Sequence, residues 1–366
     1  MFKQIIFFIK QHRFEYLITF FVFTNLFPAW FPQFAYYIAF ALILYKMSKF
    51  KMQSCGKTTL FYVFIAFLWL SATINMVLDL RLVLFSVILY MAAPRLSIKW
   101  HLYKIKLMYC IFSGFGIATL ANLYAKFADI NLVYIDEYGI AMERVAEFAG
   151  FCSHSMWTSC AAAFSTLFFV SMAFRDNLKK KSLRYFYFAM VLASLYVTMI
   201  GASRSAFFLS LACSVLIIWM QSKKFALIRN LAVVGVAAVI FAPFLMKNSQ
   251  AMMNKKNGLE ITTENTSRDE LWSQRMEEFK SSPIWGIGFA AHGVGANKQV
   301  GRNESGGSFI SVLAQAGVIG LFLVLLIWIA AIMFPKAIGN DYNTILFYAS
   351  FVFMSIHSII EGYMFQ

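Results

Sequence analysis

The sequence predicts an all-α integral membrane protein with about eleven transmembrane helices and one large, partly helical extracytoplasmic loop. Of its 366 residues, 60% are hydrophobic, 18% aromatic and only 13% charged. Soluble globular domains carry about 25% charged residues, so this composition is typical of a chain that lies in lipid. A formal net charge of +15 would suggest nucleic acid in a soluble protein. Here the basic residues lie between apolar runs, where the positive-inside rule accounts for them, and no nucleic-acid partner is expected.

About eleven apolar runs are predicted to enter or cross the membrane. A full helical span needs about 20 residues, and several of these runs are shorter. The N-terminal residues lack a small-residue cleavage site, so we expect them to be retained rather than removed as a signal peptide. We expect a single polytopic domain over residues 1–366, with segments 14–27, 34–45, 58–74, 82–94, 105–125, 156–174, 185–200, 206–220, 231–245, 308–333 and 344–360.

Basic residues cluster on alternate loops between these segments. On one side the clusters are Lys46–Lys57, Arg95–Lys106, Arg175–Arg184 and Lys223–Arg229, whereas the short loops of the other side carry only Arg81, Lys126, Arg144 and Arg204. The positive-inside rule then places the N-terminus in the cytoplasm. The long loop 246–307 lies outside, and long loops do not follow the rule. Any chemistry on that side has neither ATP nor nucleotide sugars available, so the substrate itself must supply the energy.

Metal and disulfide sites have little support in the sequence. The five cysteines are scattered and form no Cys-x-x-Cys pair, which indicates neither a disulfide framework nor a zinc site. Asp136-Glu137 resembles a weak metal-binding pair, but other acids share its loop and a solvated surface is the simpler interpretation. We expect no metal and no cofactor.

The longest polar passage, Thr266–Gly320, is predicted to begin as a helix. Ser267 followed by Glu270 three residues later is a capping box, and Pro283 stops the helix. Spacings of four, three and four residues place two guanidinium groups and two aromatic rings on one helix face: Arg268, Trp272, Arg275 and Phe279.

A glycine-rich loop follows this helix. Glycines permit tight bends and the close approach of backbone to a ligand; here they are Gly286, Gly288, Gly293 and Gly295. A cationic, aromatic helix followed by such a loop at a membrane surface suits a ligand that carries phosphate or sugar.

Three arginines are candidates for binding phosphate. Arg204 lies among small residues between two apolar segments, and an ionisable residue at membrane depth suggests function. An interfacial arginine that reaches lipid phosphate is the simpler alternative. Arg268 and Arg275 are suited to bidentate contacts with phosphate, although pairing with the nearby Glu277 and Glu278 would make them ordinary surface residues.

Four residues are candidates for the general base. His154 lies in GFCSHSMW at the outer mouth of the sixth segment, and His292 lies in the glycine-rich loop. Either imidazole could take the proton of a sugar hydroxyl, although a lone histidine is more often structural. Glu304 and Glu361 are the carboxylate candidates, and Glu361 follows an apolar segment on the outer side.

The order of these motifs resembles the O-antigen polymerase and O-antigen ligase superfamily. The outer loop of that family reads Arg, a few residues, Trp, then Pro-hydrophobic-x-Gly-x-Gly, and leads to Leu-x-x-x-Gly-hydrophobic-hydrophobic-Gly. Ser203–Ala206 is similar to the family's Ser-Arg-small-Ala turn, and Gly150–Ser155 resembles the element before its middle segment. The positions that fit the outer-loop pattern are Arg268, Trp272, Pro283, Gly286, Gly288, Leu313, Gly317 and Gly320.

The resemblance implies a Wzy-type polymerase at the periplasmic face of a bacterial inner membrane. Such an enzyme transfers a growing glycan from undecaprenyl pyrophosphate to the sugar of an incoming lipid-linked unit. The implied partners are this glycan donor and acceptor, the lipid bilayer and a chain-length regulator. Arg204 and Arg268 would bind the pyrophosphates with Arg275 in support, and Trp272 and Trp285 would offer faces for sugar rings.

Three other functions remain open. An O-antigen ligase would carry a His-Asn pair where this sequence has Gly306-Gly307, so the resemblance favours the polymerase branch. A flippase or other transporter would show two similar halves and ionisable residues deep in several helices, and the sequence shows neither. A metal-dependent glycosyltransferase centred on Asp136-Glu137 would lose activity when the metal is chelated. The family also leads us to expect one more helix after Glu361.

Overall fold

A computed structural model describes residue 26 and residues 34–50, 53–131, 148–152, 154–175, 180–201, 203–221, 267–300, 307–333 and 341–360. Most of these residues are helical. The helices are α1 (Phe34–Ser48), α2 (Gly56–Ile74), α3 (Leu80–Ala92), α4 (Ile98–Phe127), α5 (Ser155–Ala173), α6 (Lys181–Ile200), α7 (Arg204–Gln221), α8 (Ser267–Ser281), α9 (Ser308–Ile332) and α10 (Tyr342–Ile360). Two short antiparallel ribbons pair β1 (Gln53–Ser54) with β2 (Arg95–Leu96), and β3 (Ala291–His292) with β4 (Gln299–Val300).

The all-α membrane fold predicted from composition is confirmed. Among the described residues, six helices are long and apolar enough to cross a membrane, namely α2, α4, α5, α6, α7 and α9, while α3 and most of α1 form shorter apolar helices. The predicted segment 231–245, and segment 14–27 apart from residue 26, lie outside the described residues, and each other predicted segment coincides with one helix. The total of about eleven segments therefore stays a prediction.

The chain divides into two compact units, which we describe separately. The first comprises Met1–Ile43, Leu102–Glu260 and Asn340–Phe353, and therefore contains α5, α6 and α7. The second comprises Leu44–His101, Ile261–Gly339 and Met354–Gln366, and therefore contains α2, α3, α8, α9 and both ribbons. The single domain expected over residues 1–366 stays a prediction.

The first unit is built around α5, which is buried along nearly its whole length by α6 and α7. Small and hydroxyl side chains occupy these contacts, which lets the helix backbones approach closely. Ser165 Oγ lies 2.8 Å from Ser194 Oγ on α6, and Gln221 at the end of α7 donates to Ser171 Oγ at 2.9 Å. These bonds satisfy polar groups that have no access to water inside a membrane.

In the second unit α2 and α8 pack against α9, and α3 packs against α2. Its apolar core contains Phe64, Phe67, Leu68, Leu82, Val312, Ala316 and Leu323. At one end, β1 and β2 pair Gln53 with Leu96, which joins the loops that carry the first two basic clusters. This pairing agrees with the expectation that both clusters lie on one side of the membrane.

Helix α9 is broken at Gly317, where φ is 64° and ψ is −169°. The break exposes carbonyl and amide groups of the helix backbone, and such groups must find partners at membrane depth. The glycine-rich loop supplies them. Ile287 N donates to Ala314 O at 3.0 Å, and Val318 N donates to Pro283 O at 2.9 Å. The loop therefore completes the hydrogen bonding of an interrupted helix.

Candidate functional site

The predicted site residues are divided between the two units. His154 and Arg204 belong to the first unit, and Trp272, Arg275, Trp285 and His292 belong to the second. Arg268 lies in the first turn of α8, but its side chain is outside the described part of the structure, as are Glu304 and Glu361.

His154 and Arg204 lie at one end of the first unit's helix bundle. Helix α6 ends at Ile200, and Gly201 packs against the start of α5, where its Cβ position is 3.0 Å from Ser155 O. A side chain on Gly201 would also overlap Ser159 Oγ. The close contact places the turn between α6 and α7 against the start of α5. We call this region, which includes His154, Ser155, Gly201 and Arg204, the α5–α7 end.

Arg204 is exposed and is the first residue of the 18-residue helix α7. Ser203 precedes it and accepts a hydrogen bond from Ala206 N at 3.4 Å. The first backbone N–H groups of a helix and its dipole favour a bound anion. Within the described residues, no hydrogen bond or ion pair engages the Arg204 guanidinium, so both the helix end and the side chain can meet a phosphate.

His154 caps the N-terminus of α5. Its Nδ1 accepts a hydrogen bond from Met156 N at 3.1 Å. Since Nδ1 uses its lone pair in this cap, the neutral ring carries its hydrogen on Nε2. This tautomer is a hydrogen-bond donor rather than a base. The geometry therefore favours the structural interpretation of His154, or a role in which it donates a hydrogen bond.

Two asparagines of the α4 region, which sequence reasoning did not single out, hold the segment before α5. Asn122 Oδ1 accepts from Phe151 N at 2.9 Å, and Asn131 Oδ1 accepts from Gly150 N at 3.0 Å. Gly150 has φ of 62°, and any side chain there would overlap Asn122 Oδ1. In the same segment, burial raises the pKa of the Cys152 thiol, which stays neutral. The segment is thus a fixed support for the α5–α7 end.

Glycines that follow α8 in the second unit lie against protein backbone. Gly286 has φ of 73°, and a Cβ there would overlap the backbone of Gln315. A Cβ on Gly317 would overlap Ile284 O in the same way. Sequence reasoning expected these loop glycines to admit a ligand. At Gly286, the close neighbour is helix α9 of the same chain.

Trp285 and Trp272 differ in their surroundings. The Trp285 ring stacks on Phe67 at a centroid distance of 5.9 Å, and Ser71 Oγ donates to its carbonyl oxygen at 2.7 Å. Trp272 is 42% exposed on α8. Trp272 is therefore the better placed of the two for stacking on a sugar ring.

Arg275 is part of a buried ion pair. Its side chain is 2% exposed, and its Nη1 lies 2.7 Å from Glu278 Oε2 one turn along α8. The other carboxylate oxygen of Glu278 accepts from Gly293 N at 2.6 Å. The pair therefore joins α8 to the loop that precedes β4. The pairing with Glu278 was the simpler sequence interpretation of Arg275, but its burial was not foreseen.

His292 lies at the end of β3, with its Nε2 3.3 Å from Gln299 Oε1. An amide oxygen only accepts, so Nε2 carries the hydrogen and Nδ1 holds the basic lone pair. Nδ1 is buried and, within the described residues, has no hydrogen-bond partner. The lone pair of His292 is therefore unused by these residues but buried, so the ring must turn to meet a substrate hydroxyl, whereas Nδ1 of His154 is taken by the helix cap.

Lys298 is a further cation beside this ribbon that sequence reasoning missed. Its Nζ lies 3.4 Å from both the backbone and the side-chain oxygen of Asn75, at the C-terminal end of α2. Burial lowers the pKa of Lys298. The contact attaches the ribbon to the turn between α2 and α3.

Comparison with known families supports the resemblance. Residues 188–325 match the Wzy_C family model, described as O-antigen ligase. The match supports membership of the O-antigen polymerase and ligase superfamily. It covers less than half of the chain, but it includes Arg204, α8, the glycine-rich loop and the break in α9. No curated protein matches the chain. The family indicates a membrane protein of the type that transfers glycans, and it does not separate the polymerase and ligase branches.

Proposed function

We propose that the protein is a lipid-linked repeat-unit polymerase. It would join undecaprenyl-pyrophosphate-linked oligosaccharides into O-antigen or a related surface polysaccharide on the outer face of the bacterial inner membrane. The family match supports glycan transfer in the membrane. The observation that carries the proposal is the exposed Arg204 guanidinium at the N-terminus of α7, inside the matched region.

In the proposed reaction the protein mainly stabilises the charge of the pyrophosphate and positions the acceptor hydroxyl. The acceptor hydroxyl attacks the anomeric carbon of the donor glycan, the bond from that carbon to the pyrophosphate oxygen breaks, and undecaprenyl pyrophosphate leaves. Negative charge on the leaving oxygen grows in the transition state. Arg204 and the first N–H groups of α7 form a fixed positive site for that charge.

His292 is the better supported base for the acceptor hydroxyl. Its hydrogen bond with Gln299 leaves the lone pair on Nδ1, whereas the cap of α5 occupies Nδ1 of His154. Glu304 and Glu361 remain further candidates from the sequence. Trp272 would stack on a sugar ring of the substrate, and Arg268 would add a second phosphate contact.

Packing at Gly307 favours the polymerase over the ligase. The ligase branch has a His-Asn pair at positions 306 and 307. In this structure Gly307 precedes α9, and a Cβ there would lie only 2.7 Å from Ile359 O. Real Cβ atoms essentially never come that close to another heavy atom, so the asparagine of the ligase motif does not fit this packing. The glycine is therefore part of how α9 and α10 meet.

The test uses purified protein in vesicles, one defined lipid-linked repeat unit and EDTA. A ladder of repeat-unit multiples on a gel supports the proposal. Capture of single units by added lipid A–core, with no ladder, would favour the ligase. Movement of units across the vesicle membrane without joining would favour a transporter. A ladder that appears only when EDTA is omitted would favour a metal-dependent glycosyltransferase centred on Asp136-Glu137.

A further inference from the structure

Two neighbouring arginines lie at the end of the first unit that is opposite the α5–α7 end. Arg175 comes two residues after the end of α5, and Arg184 lies in the first turn of α6. The Nη2 group of Arg184 donates to the carbonyl oxygen of Arg175 at 3.5 Å. In the sequence both residues were only part of a basic cluster that the positive-inside rule assigns to the cytoplasm. The structure brings the two side by side.

Arg175 is oriented by neutral groups of two other helices. Its Nη2 donates to Tyr109 Oη on α4 and, at 3.4 Å, to Asn343 Oδ1 on α10. Tyr109 Oη in turn donates to Asn343 Oδ1 at 2.6 Å. The guanidinium carbon lies 5.7 Å from the centroid of the Tyr109 ring and 5.4 Å from that of the Tyr342 ring. These groups fix one edge of the guanidinium and do not cancel its charge.

Both arginines keep hydrogen-bond donors that the protein does not use. The described bonds of each guanidinium involve Nη2 alone, so Nη1 and Nε of Arg175 and of Arg184 have no partner among the described residues. The two Nε atoms are buried, whereas the two Nη1 groups are not. The Nη1 groups are therefore the donors that a ligand can reach.

Within the described part of the chain, no carboxylate pairs with either guanidinium. Asp341, two residues before Asn343, is exposed and forms no ion pair with them. Asp176 follows Arg175 in the sequence and lies outside the described residues. Neighbouring cations with neutral partners disfavour each other, and a partly buried charge is costly without a counter-charge. The pair of Arg175 and Arg184 is therefore suited to an anion.

We propose that Arg175 and Arg184 form a binding site for a phosphate group, which accepts hydrogen bonds from their Nη1 groups. Guanidinium groups match the oxygens of phosphate in geometry and charge. The phosphate can belong to an anionic lipid headgroup of the cytoplasmic leaflet or to a free phosphate ion, since both present the same chemistry. The site lies at the other end of the first unit from Arg204, so it does not depend on the proposed polymerase activity.

A bound phosphate would join four helices of the first unit. It would connect the end of α5 to the start of α6, and Arg175 already contacts α4 and α10 through Tyr109 and Asn343. A ligand that binds only the folded protein stabilises it. We therefore expect the phosphate ligand to raise the melting temperature of the protein.

Native mass spectrometry of the delipidated full-length protein in a neutral detergent tests the proposal. The probes are phosphatidylglycerol, inorganic phosphate and diacylglycerol, which has acyl chains and no phosphate. We expect wild-type protein to bind phosphatidylglycerol at least about tenfold more tightly than diacylglycerol. Excess inorganic phosphate separates the two sources. Displacement of phosphatidylglycerol supports a site for free phosphate, and resistance to displacement supports a site for a lipid headgroup.

Three variants assign the binding to this pair. Arg184→Gln removes one guanidinium and should weaken phosphatidylglycerol binding about tenfold, together with the rise in melting temperature. Arg175→Lys keeps the charge but loses the planar fork, and it should weaken binding several-fold. Lys99→Gln removes an exposed positive charge on the same predicted side of the membrane and should leave the affinity unchanged.

Three results would overturn the proposal. Equal affinities for phosphatidylglycerol and diacylglycerol would show that the phosphate is not recognised. Equal losses in Lys99→Gln and Arg184→Gln would show that general surface charge explains the binding. Unchanged affinity in both Arg184→Gln and Arg175→Lys would place the phosphate elsewhere. If Arg184→Gln fails to fold, Arg175→Lys and the comparison of the two lipids still decide.

Discussion

The α5–α7 end of the first unit and the region from α8 to β4 of the second unit (Ser267–Val300), the α8–β4 region, contain similar residue types with different roles. At the α5–α7 end, Arg204 is exposed at a helix N-terminus. In the α8–β4 region, Arg275 is buried against Glu278, and Gly286 makes room for the backbone of α9. The sequence pattern of arginines and glycines looks like a ligand site in both places. Burial separates them, because a buried charge must be paired, and that pairing takes it away from a substrate.

The largest expected effect concerns the buried ion pair of the α8–β4 region. Glu278→Leu leaves the Arg275 guanidinium buried without its carboxylate, which costs roughly 3–5 kcal/mol of folding free energy. The double variant Arg275→Met/Glu278→Leu removes both charges and should cost less than the single change. Thermal or denaturant unfolding in detergent measures both. A double variant that loses as much stability as the sum of the two single changes would show that the two side chains do not act as a pair.

The next prediction tests whether the loop after α8 packs against α9 at its break, Gly317. Gly317→Ala places a methyl group into Ile284 O at positive φ, and we expect a loss of about 3 kcal/mol. Gly295→Ala is the matched control, since Gly295 also has positive φ but its Cβ would meet nothing within 4 Å. It should cost about 1–2 kcal/mol, the backbone term alone. Equal unfolding midpoints for the two variants would contradict the docking of the loop into α9.

At the α5–α7 end we expect an effect on activity rather than on folding. Arg204→Lys keeps the charge but removes the planar fork, and we expect about a hundredfold slower polymer formation with normal membrane insertion. Arg81→Lys makes the same chemical change in the first turn of α3, on the predicted outer side, and should be silent. The rate of ladder growth in vesicles is the measurement. Near-normal ladders from Arg204→Lys would show that Arg204 does not bind the substrate as proposed.

The smallest expected effect lies in neither region. Glu137→Gln should change polymer formation by less than about twofold, because the sequence indicates a solvated loop there and surface substitutions usually have little effect. Ladder growth in the presence and absence of EDTA measures it. Loss of polymer in this variant would support a metal site at Asp136-Glu137.

Hydropathy and short-range signals predicted the helices well. The apolar runs gave α2, α5, α6 and α7 within a few residues, and the Ser267–Glu270 signal gave the start of α8. These elements follow from local periodicity and helix-end chemistry, which a single sequence contains.

The sequence did not reveal which residues meet across long separations. The bond from Ser71 to Trp285 spans 214 positions, and Gln315 accepts from Ala290 N through a loop. Nor did the sequence distinguish the exposed Arg204 from the buried, paired Arg275. The exposure of an arginine depends on the packing of segments that are distant in sequence. Gly317 was visible as a family motif position, but its role in breaking α9 needed the backbone geometry.

Binding of undecaprenyl pyrophosphate, without a glycan, tests the central claim most directly. The affinity should be measured in detergent for the wild type, Arg204→Lys and the double variant Arg275→Met/Glu278→Leu. If the α5–α7 end binds the pyrophosphate and the Arg275–Glu278 pair serves only the folding of the second unit, Arg204→Lys weakens binding about tenfold or more and the folded double variant binds nearly as wild type. Unchanged affinity in Arg204→Lys together with lost affinity in the double variant would contradict the account.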